Sequence, residues 1–320
     1  MHPRVSIIIP TYNAAAHIGR ALQSARLQTI EDIEIIVIDD GSSDATAEIV
    51  ARVADADCRV LYIARRQNGG PSAARNDGIE KASGEWIAVL DADDEMASNR
   101  LERLLELGGA TSADIVADNI IVSPEAHYAK GHHRKGRPAL PSSGLPYHFS
   151  VDAVEYIRRN MMLTSGFKLG YLKPMFRRDM LRASGLFYDT DVRIGEDYLL
   201  CLQALLTGAR FVVTSEALYR YWVNPGSLSS KLTKRDILAL QKAQHSVVAL
   251  CTNEPLRRQL AAYDRHLIEL LMYTDFVETL KHGRLHQAAA SALLRPRLWR
   301  HIIRGGSEAI TKRARRIFLV

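Results

Sequence analysis

The chain has 320 residues, 47 % of them hydrophobic and 24 % charged, which suits a globular protein and excludes a disordered, collagenous or disulfide-stapled one. Lys and Arg outnumber Asp and Glu by 42 to 36, a mildly basic balance with no nucleic-acid motif beside it, so no nucleic-acid partner is expected. No apolar run approaches the ~18 residues of a membrane span. Cys58, Cys201 and Cys251 are odd in number and widely spaced, which argues for three reduced thiols, two of them buried, and against a disulfide or metal pair.

The first ~120 residues alternate strand-like and helix-like patterns. Val5 to Ile9 is β-branched and too short for a signal-peptide core, so it reads as a strand buried on both faces, and the protein as cytoplasmic. Ala14 to Gln28 has helical spacing with Ile18, Ala21, Leu22 and Ala25 on one side. Ile33 to Ile38 is a second strand, and Ser43 or Asp44 caps a helix to about Ala54. Arg59 to Ile63 is a third strand, and Pro71 opens a helix at its first turn. Glu85 to Leu90 is a fourth strand, followed by a helix from Ser98 or Asn99 that closes near Gly108-Gly109. Ala113 to Ala117 is a fifth strand. About 124–147 read as a loop, ~150–230 mix helix and strand, and from Thr233 the pattern is helical.

Repeated strand–helix–strand units imply a parallel sheet with ligands beyond the carboxyl ends of its strands. Thr11, Tyr12, Asp39, Asp40, Asp91 and Asp93 all follow strands directly and converge on one edge. Asp91 and Asp93, two carboxylates at i and i+2, can hold a hard cation that also touches phosphate oxygens, although acidic turns are common without one. Asp39-Asp40-Gly41-Ser42-Ser43-Asp44 is a turn and helix cap, and one of the two leading acids is left over to accept a base N–H. Tyr12 can stack on a base or simply cover the sheet edge. In Asn68 to Asn76, a Gly-rich turn leads into a helix whose first N–H groups favour anions, with Arg75 adding charge; it is neither a Walker nor a dinucleotide motif. Glu196-Asp197 at a helix start is favourable by itself, and Asp197 there can also serve as a general base.

The order Pro10-Thr11-Tyr12-Asn13, Asp39 to Asp44, Asn68 to Gly78, Asp91-Ala92-Asp93-Asp94 and Glu196-Asp197 closely resembles family 2 glycosyltransferases of the GT-A fold. The likeness is dense over 4–105, resumes over ~165–230 through Lys173 to Arg178 and Tyr219 to Trp222, and is absent after ~235. The pattern is most like members that build bacterial exopolysaccharides of the succinoglycan type. The resemblance implies an α/β GT-A domain over 1–230, with a nucleotide-sugar-binding half over 1–120 and an acceptor-binding half over 121–230, then a helical extension over 231–320. It further implies that Pro10 and Tyr12 contact the nucleoside, Asp40 the base, Arg75 the base or diphosphate and Asp91 the ribose. Asp93 is then the ligand of Mn²⁺ or Mg²⁺, and Asp197 the catalytic base with Glu196 beside it. Many relatives carry a metal-ligating His where this chain has Asn224, a poorer ligand.

The activity implied is inverting transfer of a sugar, glucose by default, from a UDP-sugar to a hydroxyl of a lipid-linked oligosaccharide. Two other readings stand beside it: a non-catalytic nucleotide-sugar-binding module, which the presence of both Asp93 and Asp197 disfavours, and a sugar nucleotidyltransferase, which needs a Gly-rich basic loop where this chain has Pro10 to Asn13. A basic tail from Arg295 to Arg316, interleaved with Leu298, Trp299, Ile302 and Ile303, is suited to an anionic membrane surface, which gives an enzyme peripheral to the inner face of the cytoplasmic membrane. An ordinary solvated helix face is the alternative for that tail.

Overall fold

The computed structural model describes residues 2–124, 136–141, 144, 146–161, 167–224, 232–249, 251, 253–294, 299 and 301–303. Its centre is a mixed sheet. Four strands at one side run parallel in the order β3 (Val60–Ala64), β2 (Ile33–Asp39), β1 (Val5–Thr11) and β4 (Trp86–Val89). The sheet continues through β9 (Met175–Arg177), β6 (Ile115–Pro124), β10 (Phe211–Val223) and β5 (Glu95–Met96). β9 is antiparallel to both its neighbours, β6 and β10 are parallel to each other, and β5 is antiparallel to β10. Two short strands complete it, β7 (Arg137–Pro138) on β6 and β8 (His148–Val151) on β10. Insertion of β9 at the centre makes the sheet mixed, as the GT-A resemblance implies, and it brings residues around 173 next to the tip of β4.

Helices cover the sheet because their apolar stripes match its faces. α1 (Ile18–Arg26) buries Ile18, Ala21, Leu22 and Ala25, the four residues its spacing selected. It is followed by α2 (Thr46–Ala56), α3 (Gly70–Lys81) and α4 (Arg100–Thr111). Neither Ser43 nor Asp44 is the N-cap of α2. Asp44 instead accepts the N–H groups of Thr46 and Ala15, Ser42 Oγ accepts Asn13 N–H, and Ser43 N–H bonds to the Asn13 side chain. The acidic-hydroxyl turn therefore ties the β1 and β2 tips together. Nor does α4 close at Gly108-Gly109. Gly108 lies inside the helix, where a Cβ would come within 2.8 Å of the Trp86 ring, and the left-handed cap falls on Ser112 at φ 50°.

Beyond α4 come α5 (Ala153–Arg159), α6 (Arg178–Ala183) and α7 (Glu196–Leu206). The chain then enters α8 (Lys234–Ala249), α9 (Glu254–Lys281) and α10 (Leu285–Leu294). Tyr198 of α7 stacks between Tyr156 of α5 and Tyr263 of α9, with centroids 5.6 and 4.9 Å away, which joins these helices to the sheet unit. Cys201 is buried, Cys251 partly buried and Cys58 exposed, so one thiol rather than two is fully enclosed. Among the described residues no helix is long and apolar enough to cross a membrane.

The turn into β4 is the tightest backbone approach. A Cβ on Gly84 would lie 2.6 Å from the Ser6 backbone nitrogen and 2.8 Å from the Val5 carbonyl carbon. Gly84→Ala is therefore expected to lower stability by about 1–3 kcal/mol, as overpacking does, read as the shift in urea midpoint. An unchanged midpoint would contradict this packing.

Candidate active site

The strand ends β1, β2 and β4, the start of α3, the start of α7 and one face of α8 enclose a cleft of about 1420 Å³. That exceeds a typical small-molecule pocket of roughly 300–1,000 Å³, so two ligands can be held side by side. Pro10, Tyr12, Asp40, Arg75, Asp91, Asp93 and Asp197 all line it, as do Asn224 and Glu196. Asp39, grouped with them from sequence, is elsewhere: its carboxylate accepts Ser42 N–H at 2.9 Å and the Tyr62 hydroxyl at 2.8 Å.

A buried charge network forms the floor. Asp91 Oδ1 accepts from Arg75 Nη2 at 3.0 Å and Oδ2 from Lys173 Nζ at 2.8 Å. Lys173 reaches on to Asp197 Oδ2 at 2.9 Å, and Arg75 Nη1 bonds Glu196 Oε1 at 2.8 Å. Arg75 also lies over the Tyr188 ring, 5.2 Å from its centroid. Burial opposes the ionised form of Asp91, yet Lys173 and Arg75 together hold its carboxyl well below the usual range. Burial likewise works against the Lys173 ammonium, and Asp197 and Asp91 outweigh it, leaving its pKa raised. Glu196 is pushed up by burial and by adjacent Asp197.

The acids of the Asp91–Asp94 run face different ways. Asp94 is fully buried, accepting Trp222 N–H at 2.9 Å and the Tyr219 hydroxyl at 2.8 Å, and that hydroxyl in turn accepts Asp91 N–H at 3.2 Å. It thus fastens β10 to the tip of β4. Asp93 lines the cleft, has no ion-pair partner among the described residues, and has its pKa raised by burial and then by Asp91. A half-buried carboxylate beside a second one is a fitting ligand for a hard divalent cation.

One expectation changes here. In the turn whose helix start was read as favouring anions, the Gly69 and Gly70 N–H groups already donate to Asp40 at 2.9 and 2.7 Å, and Arg65 bonds the same carboxylate. Three of the roughly four acceptor positions of that carboxylate are taken, so Asp40 shapes the entry to α3. Trp222 is a core residue, buried with Arg20 stacked 4.9 Å from its ring centroid.

Lys173 stood in a stretch that carried the resemblance but had no role read for it, because its neighbours lie 82 and 24 positions away and only the β9 insertion brings them together. Arg100 is part of the same support. Fully buried, it pairs with Asp118 at 2.8 Å and bonds the Lys173 carbonyl oxygen, which sets the lysine in place.

The comparisons agree with this geometry. Residues 6–180 match the family described as glycosyl transferase family 2. The succinoglycan biosynthesis protein ExoO of Rhizobium meliloti (strain 1021) is 35 % identical, over 98 % of this chain and 87 % of its own length. S. aureus TarS 1–349, solved with UDP-GlcNAc, superposes with a TM-score of 0.64 at 20 % identity, covering 86 % of this chain and 73 % of that one. The mannosyltransferase PcManGT of Pyrobaculum calidifontis, solved with GDP-Man and Mn²⁺, gives 0.60 at 18 % identity, covering 97 % and 88 %. The chain belongs to glycosyltransferase family 2 and has the GT-A fold, an α/β sheet flanked by helices.

Lys173→Met removes one of two cations among three carboxylates. A loss of about 3 kcal/mol is expected, at the low end for a broken buried pair because Arg75 remains. Chemical denaturation measures it, and a loss below 1 kcal/mol, roughly that of an exposed pair, would show the network to be solvated.

Proposed function

We propose that the protein is a metal-dependent inverting glycosyltransferase that moves a sugar from a UDP-sugar to a hydroxyl of a growing, lipid-linked exopolysaccharide oligosaccharide. The observation that carries this reading is the presence of Asp93 and Asp197 in one cleft, one at a strand tip and the other at the start of α7. In the proposed reaction the acceptor oxygen bonds to the anomeric carbon as the bond from that carbon to the diphosphate oxygen breaks, and Asp197 takes the hydroxyl proton. Lys173, bonded to Asp197 Oδ2, keeps the carboxylate oriented. Tyr12, 53 % exposed at the rim, is placed to stack on the base with Pro10, and the remaining acceptor position of Asp40 suits a pyrimidine N–H. Asp91 takes the ribose hydroxyls, and Arg75 holds Asp91 in place.

Asp93, with Asn224 also among the residues lining the cleft, would hold Mn²⁺ or Mg²⁺. Such a cation neutralises charge developing on the departing diphosphate. PcManGT bound to Mn²⁺ and TarS bound to UDP-GlcNAc support a metal and a UDP donor for this fold, and ExoO supports an exopolysaccharide product. Glucose is the default sugar. Arg235 and Lys242 of α8 face the cleft and supply positive charge for the diphosphate of a lipid-linked acceptor.

Contact with the inner membrane face is supported by Leu293, Leu294 and Ile303, which are 75 %, 81 % and 68 % exposed. The charges of the basic tail, Arg295, Arg297, Arg300, Arg304, Lys312, Arg313, Arg315 and Arg316, lie outside the described residues.

Calorimetric titration of UDP with Mn²⁺ is expected to show metal-dependent binding that Asp93→Ala abolishes. Because the Asp93 carboxyl sits above its ordinary value, it gains a proton early on acidification, and metal-dependent affinity should fall about tenfold per pH unit below that pKa. Asp197→Asn should bind UDP as the wild type does yet lose transfer by about 10²-fold or more; wild-type turnover in this variant would remove Asp197 as the base. The double variant Leu293→Asp/Leu294→Asp should sediment less with anionic liposomes, and equal sedimentation would exclude these leucines from membrane contact.

A further inference from the structure

One cluster of titratable groups lies outside the cleft. His266 and Glu269 sit three residues apart on α9, a spacing that puts both on one face of the helix. His301, 32 residues beyond Glu269, comes back against them, its Nε2 lying 3.2 Å from Glu269 Oε2. The His266 and His301 rings are 6.0 Å apart between centroids. One ligand atom from each of the three residues lies within 4.8 Å of the other two, and all three residues are buried, at 7 %, 7 % and 4 % exposure.

A carboxylate and two imidazoles that converge at one buried point can share a divalent cation, which the imidazoles bind in their neutral form. Two imidazole nitrogens and one carboxylate oxygen are a donor set that suits zinc, with a fourth position left for a water. In a tetrahedral zinc site with bonds of ~2.0–2.1 Å the ligand atoms stand about 3.3 Å apart. Closing from 4.8 Å takes shifts on the order of 1 Å, which side-chain torsions supply.

We propose that His266, Glu269 and His301 form a zinc site that clips the segment at 301–303 onto α9. Trp299 and Ile303 are 46 % and 68 % exposed and Ile302 is partly buried, so His301 is the most enclosed contact of the segment. The site is chemically distinct from the oxygen-rich Asp93 site, which suits harder cations, and it does not depend on the reaction assigned to the cleft.

The test is the zinc content of untagged full-length protein by plasma mass spectrometry, with thermal melts in the presence and absence of a chelator. About one zinc per chain is expected in the wild type and in Asp93→Ala, and close to none in Glu269→Gln and His301→Ala. The chelator should lower the melting temperature of the wild type and leave that of Glu269→Gln unchanged. Zinc retained in full by Glu269→Gln or His301→Ala, or no zinc in the wild type after saturation with ZnCl₂, would overturn the site. If neither variant folds, Co²⁺ titration of the wild type decides: the intense visible band of four-coordinate Co²⁺ supports the clip, and its absence refutes it.

Discussion

Arg75 and Lys173 are the constraint on which the cleft rests. Asp91, Glu196 and Asp197 come from a strand tip and a helix start over 100 positions away, and three carboxylates at such close quarters repel one another in a medium that screens poorly. Two buried cations between them turn that repulsion into a clamp. The clamp joins the β4 tip, α3, α7 and the segment before β9 through charge at the floor of the cleft.

Support for the clamp comes from behind it. Arg100 and Asp118 form a fully buried pair, and Arg100 also holds the Lys173 carbonyl. Asp94 pins Trp222 and Tyr219 of β10 to the strand tip that carries Asp91 and Asp93. Of the acidic residues at that tip, the one that never reaches the cleft is therefore the one that fixes its shape. A chain with a neutral apolar residue at 94 would keep the paired carboxylates and lose the framework that aims them.

The helices after the sheet are part of the same body. α8 contributes Arg235, Lys242 and Asp236 to the cleft wall, with Asp236 paired to Arg193 at 2.6 Å. Tyr263 of α9 completes the aromatic stack that begins at Tyr156. The same helices carry the exposed leucines of α10 and the His266–Glu269–His301 cluster, whose His266 ring lies 6.3 Å from that of Tyr263.

Local pattern was enough to place β1 to β4, α1 and the four residues of its buried face, because β-branched runs and 3.6-residue periodicity act over a few residues at a time. The order of short motifs was enough to indicate the family and to pick out Pro10, Tyr12, Asp40, Arg75, Asp91, Asp93 and Asp197, all of which line the cleft. Sequence alone left open what each contact is. It could not show that Gly69 and Gly70 donate to Asp40, that Gly108 is interior to α4 with Trp86 packed against it, or that Lys173 joins Asp91 to Asp197. Those are long-range contacts, fixed by the antiparallel insertion of β9 and by which side chains meet once the sheet has closed, and no local periodicity records them.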